Sequence, residues 1–161
     1  MGVSASGKST VGTQLAQRLG VPFLEGDDLH PAANRAKMAS GHPLDEADRR
    51  PWLAALTAWI RTAAGAQGGV VSCSALRRTY RDQFRRTGAN VQFLHLALDP
   101  EVAAQRITRR KGHFMPPALL DSQLETLEPL QPDEPGITVD ASSTTAEILD
   151  AALRRLTRPD S

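Results

Sequence analysis

Residues 2–9 read Gly-Val-Ser-Ala-Ser-Gly-Lys-Ser and fit the pattern G-x-x-x-x-G-K-[ST] without a mismatch. Few octets constrain a fold so tightly, because this one works as a loop that leaves a buried strand and opens a helix. Its glycines let backbone N–H groups wrap an anion. Gly2, Ser4, Ser6, Gly7, Ser9 and Thr10 are therefore read as a cradle for the phosphates of a nucleoside triphosphate, which makes the octet a P-loop. Lys8 is placed to reach the β- and γ-phosphates and the Ser9 hydroxyl to ligate Mg²⁺.

The stretch after the loop agrees. Val11, Leu15 and Leu19 recur every four residues and Gly20 follows, which predicts a helix over 9–19 with a glycine stop. Phosphates would rest on that helix's N-terminus, where unbonded N–H groups and the dipole favour anions. Ahead of the loop stands Met1 alone. A central strand is expected there, so the native reading frame is expected to begin upstream and to supply an apolar, β-branched run directly before Met1. The first six residues also fit the N-myristoylation pattern M-G-x-x-x-[ST]. The longer octet explains Gly2 better, and a lipid there would occupy the phosphate site.

At 161 residues and 17.4 kDa, one domain with a full core is expected over 1–161. Hydrophobic residues make up 40% of the chain, and no apolar run approaches the about eighteen residues of a membrane span. Cys73 is the only cysteine, so no disulfide forms within the chain, which fits a reducing cytoplasm. Nineteen basic against eighteen acidic side chains leave a net charge of +1, too small a field to gather nucleic acid, and 4% aromatics are too few for a base-stacking platform. Lys8, Lys37 and Lys111 are the only lysines and the other basic residues are arginine. Arginine suits forked grips on carboxylate and phosphate, although codon bias accounts for an Ala- and Arg-rich composition as well.

Strands are predicted at 22–25, 69–73, 91–98 and 136–139, and helices at 31–40, 48–64, 77–87, 100–110, 118–127 and 144–156. Trp52, Leu56, Trp59 and Ile60 form a core stripe in the longest helix. Asp99-Pro100 supplies an N-cap followed by proline at N1. Strands alternating with helices mean a parallel α/β sheet.

Phosphoryl transfer needs a phosphate cradle, Mg²⁺, a carboxylate near the acceptor hydroxyl, and cations that neutralise the transferred group. Glu25 and Asp27 lie two apart at a strand end, so both face the γ-phosphate side of the loop, where α/β ligands bind. Asp28 is a turn residue. No N-K-x-D guanine-reading motif occurs, and strand 69–73 ends in Ser72-Cys73-Ser74 rather than an acid, so the Mg²⁺ shell draws on Ser9, phosphates, water and Glu25. Arg106, Arg109, Arg110 and Lys111 precede Gly112-His113-Phe114 and read either as a lid over the nucleotide or as a solvated helix end. Arg77, Arg78 and Arg81 read either as site cations or as surface charge, and the four histidines show no metal-ligand spacing.

Longer blocks separate these alternatives. Glu25-Gly26-Asp27-Asp28-Leu29-His30-Pro31, Asn34, Lys37-Met38-Ala39-Ser40-Gly41-His42-Pro43-Leu44, and Asp48-Arg49-Arg50-Pro51-Trp52-Leu53 follow one another in the first third of the chain. Cys73-Ser74-Ala75-Leu76-Arg77-Arg78, Tyr80-Arg81-Asp82, Arg110-Lys111-Gly112-His113-Phe114, and Ser122-Gln123-Leu124-Glu125-Thr126-Leu127-Glu128-Pro129 come after them. In that order the blocks resemble the gluconokinases of the thermoresistant type, within the shikimate-kinase-like P-loop kinases. The resemblance implies a three-layer α/β sandwich with a parallel sheet ordered 2-3-1-4-5, counting the strand ahead of the loop as first. It also implies a substrate-binding helical segment over about 28–64 and a lid over about 106–122.

The implied activity is ATP-dependent phosphorylation of D-gluconate at its 6-hydroxyl. By the same resemblance Asp27 orients and deprotonates that hydroxyl, Glu25 holds an Mg²⁺-bound water, and Lys8 and Arg110 stabilise the γ-phosphoryl charge with Arg106 beside the nucleotide. Arg49, Arg77, Arg81, His30 and His113 contact the sugar acid, and residues 140–143 border the adenine. A homodimer is left open. Where the family carries glycine, this chain has Ala5, which requires that residue to keep a negative φ. The competing expectations are a kinase for shikimate or another small polyol acid, and a nucleotide-binding protein without catalysis.

Overall fold

A computed structural model describes residues 1–109 and 116–157. Helix α1 (Lys8–Leu19) follows the octet and stops at Gly20, whose φ of 67° suits a residue without Cβ. Strand β1 (Phe23–Glu25) runs into a 3₁₀ turn over Gly26–Leu29, then come α2 (Ala32–Ala39) and α3 (Glu46–Ala64). Strand β2 (Val70–Ser72), α4 (Arg78–Arg85), β3 (Phe93–Ala97), α5 (Pro100–Arg109), α6 (Pro117–Thr126), β4 (Gly136–Asp140) and α7 (Thr145–Thr157) complete the order. Every predicted strand and helix is present within a few residues of its expected bounds.

Local chemistry sets the helix starts. Asp45 accepts from the Asp48 N–H at 2.8 Å while Asp48 accepts from the Asp45 N–H at 2.9 Å, a reciprocal cap that begins α3 two residues earlier than expected. Lys37 donates to the same Asp48 carboxylate at 2.5 Å and ties α2 to that start. Asp99 caps α5 through the Glu101 N–H at 2.8 Å.

The strands pair in parallel as two halves. Phe23, Leu24 and Glu25 of β1 stand opposite Val70, Val71 and Ser72 of β2, and Phe93 to Ala97 of β3 stand opposite Gly136 to Asp140 of β4. Met1 and Gly2 lie between the halves: the Met1 carbonyl accepts from the Leu96 N–H at 2.9 Å, and the Gly2 N–H donates to the Ser74 carbonyl at 3.1 Å. With that line counted first, the order is the expected 2-3-1-4-5. On one face α1 and α7 bury Val11, Leu15, Ile148 and Leu149; on the other α3 and α4 bury Trp52, Leu56, Ile60 and Phe84. These are the three layers of a sandwich. No helix of the described residues is long and apolar enough to cross a membrane.

Candidate active site at the phosphate loop

The loop wraps tightly over the end of the sheet. A Cβ on Gly2 would stand 2.7 Å from the Leu96 carbonyl oxygen, so only glycine permits this approach. Gly7 sits at φ 91° directly before α1, turning the N-terminus of that helix toward the loop's concavity. Ala5 departs from the expectation that it keeps a negative φ, because it adopts φ 65°. The left-handed conformation costs an L-residue on the order of 1–2 kcal/mol, and the flanking loop holds it there. Ser6 is 2% exposed and its hydroxyl has no partner among the described residues, a buried polar group of the kind an anion satisfies.

The cradle's other donors are partly engaged. The Ser4 N–H donates to Gln123 Oε1 on α6 at 2.7 Å, and Lys8 Nζ donates to the Val3 carbonyl at 2.9 Å. Ser9 and Thr10 are exposed in the first turn of α1, and the Ser9 hydroxyl bonds the Glu25 carboxylate at the end of β1. Arg106 reaches from α5 to the Ala5 carbonyl at 3.3 Å and the Ala141 carbonyl at 3.1 Å. The loop is thereby joined to the segment that begins at Asp140, where the adenine is expected.

Beside the loop lies a cavity of about 110 Å³, lined among others by Lys8, Asp27, His30, Arg49, Tyr80 and Gln123. The 3₁₀ turn carries Asp27 to its wall. Surrounding protein crowds that carboxyl and partly strips its water, which raises its pKa, while the Lys8 ammonium pulls the other way. His30 is 7% exposed and stacks on Trp52 with ring centroids 4.5 Å apart and planes within 12°. Burial, helped by Arg35 and Arg49, lowers its pKa to about 4, so the ring is neutral at pH 7. Its Nδ1 has no partner among the described residues. Trp52 is itself fixed by its indole N–H, which donates to the Gly26 carbonyl at 2.8 Å.

Glu46 gathers the cations on the cavity's rim. Its Oε1 accepts from the Tyr80 hydroxyl at 2.6 Å and from Arg49 at 3.3 Å, and Arg77 lies 3.6 Å away. Neither Tyr80 nor Glu46 was singled out from spacing, although Tyr80 stands inside a block that carries the resemblance. Gln123 was missed in the same way.

Arg81 corrects an expectation. It is fully buried beneath the cavity, its Nε and Nη2 fork onto Glu134 at 2.6 and 2.9 Å, and its Nη1 donates to the carbonyls of Ala75, Leu76 and Glu128. Every guanidinium nitrogen is committed to protein, so it holds up the 75–76 turn instead of reaching into the cavity. Arg110 and His113 lie outside the described residues. Among the described residues no three His, Cys, Asp or Glu side chains converge as a metal cage. Ser9 and Glu25 present hard oxygen ligands beside the cradle, which suits Mg²⁺, an ion that retains waters and substrate phosphates.

An anion cradle at a helix start, a crowded carboxylate facing it and cations along the adjoining cavity define a P-loop kinase. Residues 1–130 match the family model described as an AAA domain. The chain is 47% identical over 161 residues to the gluconokinase of Gluconobacter oxydans (strain 621H), with 99% of this chain and 90% of that one covered. Its fold matches the crystal structure of a sugar kinase from Janibacter sp. HTCC2649 with a TM-score of 0.91 at 46% identity, covering 97% of this chain and 91% of that chain. A gluconokinase structure from Sinorhizobium meliloti 1021 matches with a TM-score of 0.83, again at 46% identity, over 97% and 88% of the two chains. The chain belongs to the gluconokinase family.

Proposed function

We propose that the protein transfers the γ-phosphoryl group of ATP to the 6-hydroxyl of D-gluconate, giving 6-phospho-D-gluconate and ADP. The observation that carries this reading is the shared wall of Lys8, Asp27, His30 and Arg49 in one cavity against the phosphate loop. Asp27 accepts the proton of the attacking hydroxyl as its oxygen bonds to the γ-phosphorus and the β,γ-bridging oxygen departs with ADP. Its pKa, raised chiefly by desolvation, makes it a better base than an ordinary aspartate. Lys8, with Arg110 by family resemblance, neutralises the equatorial oxygens as the bond breaks. Ser9 and Glu25 would hold Mg²⁺, which would supply positive charge against that of the phosphates.

Neutral His30 offers its unpaired Nδ1 to a sugar hydroxyl, and Arg49 with Arg77 at the rim matches the carboxylate. His113 serves the sugar acid from the lid by the same resemblance. We place the reaction in the cytoplasm, where ATP is supplied and the buried Cys73 thiol, its pKa pushed up to about 11, stays inert. The test is ADP release with gluconate, shikimate or no acceptor. Asp27→Asn keeps the shape but removes the base, and gluconate-dependent kcat is expected to fall by about 10²–10⁴-fold with ATP affinity nearly unchanged. Turnover within tenfold of the parent, or a preference for shikimate, refutes the assignment.

A further inference from the structure

The rim of the acceptor cavity sets two arginines against one carboxylate. Glu46 opens α3 with Arg49 one turn further on, while Arg77 and Tyr80 come from the start of α4. The core holds this cluster in place: Tyr80 is buried, and its hydroxyl donates to Glu46 Oε1 at 2.6 Å. Burial first, and then that bond, raise the Tyr80 pKa above its ordinary value, so the hydroxyl keeps the proton it donates. The Arg49 guanidinium carbon lies 5.9 Å from the centre of the same ring.

Glu46 leans on the arginines without using up their donors. Arg49 Nη1 donates to Glu46 Oε1 and to the Tyr80 hydroxyl, each at 3.3 Å, and Arg77 Nη1 stands 3.6 Å from that carboxylate oxygen. Hydrogen bonds between ions are ordinarily about 2.7–2.9 Å long. The Arg49 side chain is only 16% exposed, yet its Nε and Nη2 have no hydrogen-bond partner among the described residues. The rim can therefore still fork onto an incoming acid, but with one of its two positive charges already offset. Two guanidiniums less one carboxylate leave +1. That balances a carboxylate of one charge and falls short of a phosphate monoester of two.

We infer that Glu46 sets the specificity of this subsite by charge, admitting a monoanionic polyol acid and turning away a polyol of the same length that ends in a phosphate monoester. The inference rests on the reading that Arg49 and Arg77 hold the acid's carboxylate. Two arginines alone would favour the phosphate, whose oxygens suit their forks and carry more charge. A fixed negative charge beside them penalises the wrong ligand more than the right one, which is how such an order is reversed. The bond to buried Tyr80 keeps that charge in place although Glu46 is half-exposed. One unit charge about 5 Å from the ligand's extra charge, at an effective dielectric constant of about 20–80, changes relative affinity roughly 4- to 300-fold. Half-exposure puts Glu46 in the lower part of that range.

The test titrates D-gluconate, D-glucitol 1-phosphate, D-glucitol 1-sulfate and D-glucitol calorimetrically into the full chain saturated with a non-hydrolysable ATP analogue. All four keep the 6-hydroxyl. At about pH 8 the phosphate carries two charges, its second pKa being about 6, whereas the sulfate has the same tetrahedral shape with one. Glu46→Gln keeps an oxygen for Tyr80 and removes the charge. In that variant the affinity for the phosphate relative to gluconate is expected to rise about tenfold, and the relative affinity for the sulfate to hold. Glu46→Asp should keep the parent's ratios. A general loosening of the cavity weakens every ligand alike and leaves these ratios where they were. A phosphate ratio that moves less than about twofold, well under the weakest Coulomb effect expected, overturns the inference. So does a sulfate ratio that rises with it, because room and not charge would then be the filter. Gluconate bound by the parent no better than D-glucitol overturns the carboxylate reading itself, so the two failures are distinct.

Discussion

Replacing Arg81 by Met separates a supporting role from a substrate contact. Both side chains of the Arg81–Glu134 pair are fully buried, and two parallel bonds of 2.6 and 2.9 Å join them. Methionine keeps the apolar stem and removes the charge, leaving the Glu134 carboxylate unpaired in the interior. Breaking one side of such a pair costs about 3–5 kcal/mol, and the Ala75, Leu76 and Glu128 carbonyls lose a donor as well. We expect a loss of about 5 kcal/mol, which at roughly 2–4 °C per kcal/mol lowers Tm by about 10–20 °C. The double change Arg81→Met with Glu134→Leu should recover most of it, since no charge then stays buried. Glu134's pKa is held below 4.5 chiefly by its bond to Arg81, so the pair's contribution is present above pH 4.5 and fades as pH falls through the lowered value. Melts followed by circular dichroism, with KM for gluconate measured well below each midpoint, decide the matter. An unchanged Tm with a tenfold higher KM would put Arg81 in the substrate site and refute the reasoning.

Lys8→Ala is expected to cost about 10²-fold or more in kcat, the scale of losing one preorganised donor at the developing charge; near-normal turnover in a steady-state assay contradicts its role. Ala5→Gly removes the left-handed strain at φ 65° and adds the freedom of an unfolded glycine, a net gain of about 0.5–1 kcal/mol, read as a Tm rise of about 1–4 °C; a fall in Tm contradicts it. His30 and His95 should each titrate near pH 4 by NMR, and because both folded values lie below 6.5, stability should fall as pH drops from 6.5 through 4. Titration of either ring near 6.5 would show that burial does not govern it.

Periodicity and turn chemistry were enough to place the strands and helices, because apolar spacing and caps such as Asp99-Pro100 act within a few residues. The phosphate loop and the Glu25, Asp27 pair were legible for the same reason. Arg81 was not: its partner Glu134 lies 53 residues away, and a buried arginine in a basic helix looks like its solvated neighbours Arg78 and Arg85 until the fold closes. The φ of Ala5 was equally hidden, since nothing in an alanine announces that the loop will force it left-handed. The start of α3 at Asp45 was legible in principle, but acid at both ends of a reciprocal cap departs from the usual Ser/Thr and Glu pairing.

The bond from the Ser4 N–H to Gln123 Oε1 has a consequence for how the substrates answer one another. Ser4 belongs to the phosphate cradle, whereas Gln123 lines the acceptor cavity from α6. A triphosphate that claims the Ser4 N–H releases the Gln123 amide toward the sugar, and a sugar acid that engages Gln123 releases that N–H toward the phosphates. Linkage makes the two effects equal in free energy. A single glutamine can therefore make each substrate's affinity depend on the other's presence, with no domain having to move.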